Sequence, residues 1–339
     1  MSREQRLALD AMLRNAPQPS GRVSVDRIRE GFAAFMGSFP IAADVRRTPT
    51  ELAGRPAILV EPEGDARPGT IVYFHGGGNA FGSPETAMVL TANLVRRTGV
   101  RAISLDYRLA PEHPFPAAID DCVAAFRSLL DSGIDPASIV FAGAFAGGGF
   151  AVTTCLAARD AGMPMPAAIA AFSPGLDHTR SGATMTTKEG VDPFFTRDGM
   201  DHTGQMYLGG QDPNQPRLAP AVLADLTGFP PILLQVGTNE LLLDDSVRLA
   251  ERAREAGVDV ILDITAGVPH VFQAFVGTLD EADQALDRAV LFLTQHLDVH
   301  HVLRWYAARV REHPHGETRL RVAELPEELE RDPTAVFWG

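Results

Sequence analysis

Three stretches carry groups that could do chemistry: residues 143–148 (GAFAGG), 75–78 (HGGG) and 267–270 (GVPH). GAFAGG follows the apolar run SIVFA and precedes GFAVTTCLAARDAG, which reads as a helix. A strand, a glycine-flanked turn and a helix are the setting of a nucleophile elbow, G-x-S-x-G, which exposes a serine hydroxyl at the head of a helix. Here the central residue is Phe145. A benzyl group can neither attack a carbonyl nor be acylated. The elbow also calls for a left-handed backbone, unfavourable for a bulky residue by about 1–2 kcal/mol. No replacement hydroxyl or thiol stands close in sequence. Ser138 opens the strand at its far end, Thr153 and Thr154 fall two turns into the helix with Cys155 deeper, and Ser173 ends the next strand.

HGGG follows the apolar run TIVYF, and glycines let backbone N–H groups approach one point, as an oxyanion requires. His270 follows the last apolar run, DVILDIT, and a Gly-Val-Pro turn. That places an imidazole at a strand end as a candidate general base. An acid to orient it is expected in TNELLLDDS, which offers Glu240, Asp244 and Asp245.

These groups need a frame that brings strand ends together. Eight runs read as strands: DVRRT, AILVEP, TIVYFH, RAISLD, SIVFAG, AAIAAFS, PILLQVG and DVILDIT. From the third onward, helical patterns separate them, which predicts a mainly parallel sheet covered on both faces. In such sheets ligands sit at the strand C-terminal ends, where all three stretches fall. Residues 1–40 predict two short helices broken by PQPSG. Residues 178–228 are polar, without a strong strand, and predict helices above the sheet. The main domain covers 41–299, and 300–339 form a charged extension.

The 339 residues carry a net charge of -13, which argues against a nucleic-acid partner. Cys122 and Cys155 read as buried thiols. The charged start and the lack of any apolar run near about 18 residues predict a cytoplasmic protein with no membrane segment. No metal and no cofactor are expected; His300, His301, His313 and His315 are too loosely spaced for a metal site. Arg304, Trp305 and Tyr306 read as a packing patch.

Several strings resemble one family. HGGG, LDYRLAPEHPFPAAIDD (105–121), SPGLD (173–177), PPILLQVG and PHVFQAF are similar to the hormone-sensitive-lipase-like (bacterial family IV) esterases, a branch of the α/β-hydrolase fold. The resemblance covers about residues 40–297. It implies an α/β fold with a mostly parallel eight-stranded sheet, flanked by helices. It also implies a helical cap, made of the N-terminal helices and the 178–228 insertion, over an apolar pocket. It assigns the histidine to His270, the acid to Glu240 with Asp244 as a second carboxylate, and the oxyanion donors to Gly76, Gly77 and Ala146. His75, Gly78, Ala144 and Phe145 are then expected around the pocket. Phe145 occupies the place of the family's serine, which removes the acyl-serine route.

Two functions survive. One is a non-covalent enzyme on a small apolar or aromatic carbonyl compound, with His270 as base and HGGG as oxyanion hole. Its reaction would be elimination, isomerisation, cyclisation, decarboxylation or water-mediated hydrolysis, as in tailoring of a natural product. The other is a pseudo-esterase that binds a small ligand as a receptor does. The family's habit of dimerising makes a homodimer one option.

Overall fold

The computed structural model describes residues 2–15 and 23–312, with 298–312 as helix backbone only. Met1–Leu297 form one unit and Asp298–Gly339 a second, and every candidate site residue lies in the first. All eight runs are strands: β1 (Val45–Leu52), β2 (Arg55–Pro62), β3 (Arg67–Phe74), β4 (Val100–Leu105), β5 (Ile139–Ala144), β6 (Ala168–Phe172), β7 (Ile232–Gly237) and β8 (Val260–Thr265). They form one sheet in the order β1-β2-β4-β3-β5-β6-β7-β8. β2 pairs antiparallel with β1 and β4, and all other pairs are parallel. This is the expected fold class.

The helices are α1 (Ser2–Arg14), α2 (Val25–Gly37), α3 (Met88–Thr98), α4 (Ala117–Asp131), α5 (Ala146–Asp160), α6 (Thr184–Thr187), α7 (Arg197–Leu208), α8 (Pro220–Leu223), α9 (Leu243–Glu255) and α10 (Asp280–Glu312). Alternation along the strands sorts the core. Val72, Phe74, Phe141 and Leu234 point to the face covered by α4, α5 and α9. Ile71, Tyr73, Val140 and Leu233 point to the face covered by α3 and α10. Because both faces are covered, the central strands are apolar throughout instead of alternating with polar residues. Cys122 and Cys155 are buried free thiols in the first of these layers.

Residues 178–228 hold α6, α7 and α8 and no strand. Leu9 and Leu13 of α1 pack with Phe194 of that insertion and with Val268, Phe272 and Phe275 beyond β8. The N-terminal helices therefore meet the insertion beside the strand ends. The last helix, α10, continues past residue 299. The PQPSG break, the side chains of the 300–306 patch, and His313 and His315 lie outside the described residues. No helix among the described residues is long and apolar enough to cross a membrane.

Candidate active site

The chain reverses from β5 to α5 at one residue. Phe145 has φ 50 and ψ -114, a conformation that costs a side-chain-bearing residue on the order of 1–3 kcal/mol. Close packing imposes it. A Cβ on Gly147 would lie 1.9 Å from the Phe74 carbonyl oxygen, so only glycine lets α5 start directly under the end of β3. The Phe145 N–H donates to Phe172 O at 2.9 Å, and its carbonyl accepts from Gly149 and Gly175 at 3.1 and 3.0 Å.

The HGGG loop lies against this elbow. A Cβ on Gly76 would be 3.6 Å from Phe145 Cβ, and one on Gly78 would be 3.4 Å from Phe145 Cε1. The N–H groups of Gly76, Gly77 and Ala146 find no backbone acceptor among the described residues. Two expected pocket residues lie elsewhere. His75 is fully buried and stacks on Tyr107, with centroids 4.0 Å apart, while the Tyr107 hydroxyl donates to His75 O at 2.6 Å. It braces the loop from below. Ala144 packs into the core with Phe172 and Leu233. Asp121 is a buried partner of the Arg108 guanidinium at 2.7 Å.

His270 and Glu240 are both buried, with Nδ1 2.9 Å from Glu240 Oε2. An ionised carboxylate only accepts, so Nδ1 carries the proton and Nε2 holds the lone pair. The other carboxylate oxygen, Oε1, accepts from the Ser173 hydroxyl at 2.8 Å and the Gly237 N–H at 2.5 Å. Ser173 Oγ in turn accepts from the Val271 N–H at 3.0 Å. Ser173 and Val271 have φ 45 and 47, so strained backbone gathers here as at Phe145. Ser173→Ala is expected to lower stability by about 1–3 kcal/mol, because it strips buried partners from Val271 and Glu240. Denaturant midpoints would measure this, and an unchanged midpoint would deny the link.

Asp244 does not join the pair. Its carboxylate accepts from Thr184 N–H at 3.0 Å, tying α9 to α6, and so corrects the expectation of a second acid. Asp245 accepts from Leu176 N–H at 2.7 Å, and burial pushes its carboxyl up to about 7.

Aromatic rings surround the imidazole. Its centroid lies 4.8 Å from Phe145, edge to face, and 4.6 Å from Phe195. Its Nε2 is buried without a hydrogen-bond partner among the described residues. Phe145 and Phe195 pack on Met185, Met200, Leu241 and Leu242.

A profile of the α/β hydrolase fold matches residues 71–274, from the strand before the glycine loop to just past His270. This chain belongs to that family. It is 40% identical over 224 residues to an acetyl-hydrolase of Streptomyces hygroscopicus, spanning 66% of this chain and 75% of the relative. It is 34% identical over 257 residues to an esterase of Acinetobacter venetianus, spanning 76% and 84%. A solved esterase of the bacterial hormone-sensitive lipase family superposes with a TM-score of 0.83 at 38% identity, over 87% of this chain and 98% of that one.

Within this α/β hydrolase, sequence reasoning missed Ser173 as the link between Glu240 and Val271, and Phe195 as a wall. The only signal for Phe195 was a DPFF string in a polar insertion, where Asp before Pro marks a turn. His178, also unassigned, is half-buried beside Tyr207 and 3.3 Å from the Asn79 amide. Burial lowers His75 to about 4 and His178 to about 3, from an ordinary value of 6.5. The unfolded chain protonates them first as the medium turns acid. The stability they contribute is complete above pH 6.5 and is lost as pH falls toward 4, by about 1.4 kcal/mol per unit for each. Urea midpoints should fall from pH 7 to pH 4.5, and less steeply in His178→Asn; parallel slopes would contradict this.

Proposed function

We propose that this protein acts on a small apolar or aromatic carbonyl compound without bonding to it covalently, with His270 as general base and Glu240 holding its tautomer. The supporting observation is a buried His270–Glu240 pair beside an elbow that carries a benzyl group. The relatives' names speak of ester and acetyl hydrolysis, which an elbow serine performs through an acyl-enzyme. Phe145 has no lone pair for that attack.

Nε2 takes a proton from the carbon next to the substrate carbonyl. The C–H electron pair moves into the adjoining bond, and the carbonyl oxygen becomes an enolate hydrogen-bonded by Gly76, Gly77 and Ala146 N–H. Returning the proton to a different carbon gives isomerisation, and loss of a leaving group from the next carbon gives elimination. Attack of the enolate carbon on a second carbonyl of the substrate, whose oxygen takes the proton back from Nε2, gives cyclisation. In a decarboxylation the same amides receive the enolate left by departing carbon dioxide. Alternatively, water gives a proton to Nε2 and adds to an ester carbonyl; the bond to the alkoxide breaks and the alkoxide takes that proton back, which gives hydrolysis with no acyl-enzyme. The rings of Phe145 and Phe195 favour a flat aromatic substrate.

The test is α-proton exchange of a panel of aryl 1,3-diketones in deuterated water, followed by proton NMR. The wild type is expected to exceed His270→Ala by about 100-fold to 10,000-fold. Binding without turnover is the second reading, favoured by the Phe145 ring, which a Cβ on either Gly78 or Gly175 would approach to 3.4 Å. Saturable binding with equal exchange in both proteins would establish it in place of the first.

A further inference from the structure

Residues 192–195 (DPFF) belong to the insertion between β6 and β7, yet they reach the His270–Glu240 pair. The Phe195 ring stands 4.6 Å from His270 and 5.1 Å from Phe145, centroid to centroid. One carboxylate holds this turn. Asp192 is 5% exposed; its Oδ1 accepts from the N–H groups of Phe194 and Phe195 at 2.8 and 3.1 Å. Its Oδ2 accepts from the Leu241 N–H at 2.9 Å. Leu241 follows Glu240 directly, so a single side chain joins the turn over the imidazole to the segment that carries its acid.

Burying a carboxylate is costly unless hydrogen bonds replace its water. Three backbone donors do so here. Burial raises the Asp192 carboxyl above its ordinary value, and the nearby His270 imidazole works in the opposite direction. From the outer side Arg14 of α1 closes the same turn, donating to Gly190 O and Val191 O at 3.1 and 2.7 Å.

We propose that Asp192 is a positioning residue that holds Phe195 as a cover on the His270 imidazole and, through Leu241, keeps Glu240 within reach of it. This deepens the function proposed above, since the imidazole so placed is the proposed base. Without the carboxylate, the Phe194 and Phe195 amides lose their acceptor, the turn opens, and Nε2 meets water.

Diethyl pyrocarbonate, which acylates accessible unprotonated imidazole, reads that cover whatever reaction the protein performs. Site-resolved mass spectrometry on the full chain follows His270, with buried His75 and half-buried His178 as internal controls. Asp192→Ala is expected to speed His270 modification about tenfold or more, as local opening of one turn would, while the two controls keep their rates. Phe195→Ala should give the same gain, and the double variant no more than Phe195→Ala alone. Asp192→Asn, which keeps one oxygen for the Phe194 and Phe195 amides, should fall between; it serves if the alanine variant does not fold. Unchanged His270 reactivity in both Asp192 variants overturns the proposal, as does equal acceleration at His75 and His178. Neither result bears on whether His270 is the base, which proton exchange decides.

Discussion

Phe145→Ser is expected to switch on ester hydrolysis. The backbone at residue 145 already has φ 50 and ψ -114, and Gly147 already permits the tight strand–helix turn. The imidazole lies edge-on to the residue 145 side chain, and its buried Nε2 has no hydrogen-bond partner among the described residues. The glycine loop stands beside the same residue, and the Gly76, Gly77 and Ala146 amides find no backbone acceptor among the described residues. A hydroxyl at this position would therefore meet the His270 imidazole and the glycine-loop amides, the groups proposed above as base and anion cradle. Removing a tuned nucleophile costs up to about a million-fold in a protease, so restoring an untuned one should raise kcat/KM for p-nitrophenyl acetate about a thousand-fold. Phe145→Ala is the control. It clears the ring without supplying a hydroxyl and should gain little. Losing the partly buried ring should cost about 2–3 kcal/mol, which calorimetry would register in both variants. A folded serine variant no faster than the alanine variant would show that the apparatus around the elbow is not competent.

The second large effect is the loss of that gained activity. Adding His270→Ala to Phe145→Ser should lower kcat/KM by about a thousand-fold to ten-thousand-fold, because no other base adjoins the new hydroxyl. Glu240→Gln should cost nearly as much. A glutamine amide can present an N–H to Nδ1 and so favour the tautomer that places the proton on Nε2. Asp244→Asn should leave the rate within a few-fold, since that carboxylate serves Thr184. Steady-state kinetics on the four proteins separates the two acids. An Asp244→Asn loss matching that of Glu240→Gln would contradict the geometry.

The fold was readable because its chemistry is local. Continuous apolar runs mark the central strands, buried on both faces, and glycines mark the turns between them, so those strands fall where the runs predict. His270 was readable for the same reason, as a polar residue on a strand-end turn. Choosing between Glu240 and Asp244 was not readable from the residues themselves, and only the family resemblance pointed to Glu240. The two lie four residues apart, and only the start of α9 at Leu243 turns Asp244 toward α6. His75 looked like a pocket residue by its place in HGGG, but its stacking on Tyr107 depends on a contact 32 residues away. Ser173, Asp192 and Phe195 were invisible as site residues for the same reason. Their roles exist only once β6, the insertion and the loop after β7 converge, and no periodicity encodes that meeting.

Rapid-quench mass spectrometry of the wild-type protein with p-nitrophenyl acetate tests most directly whether anything in this cavity takes up an acyl group. Peptides covering residues 143–155 and Ser173 should remain unmodified at every time point, even while any non-covalent turnover proceeds. A stoichiometric acetyl group on Thr153, Thr154, Cys155 or Ser173, formed and lost at the rate of turnover, would contradict the account.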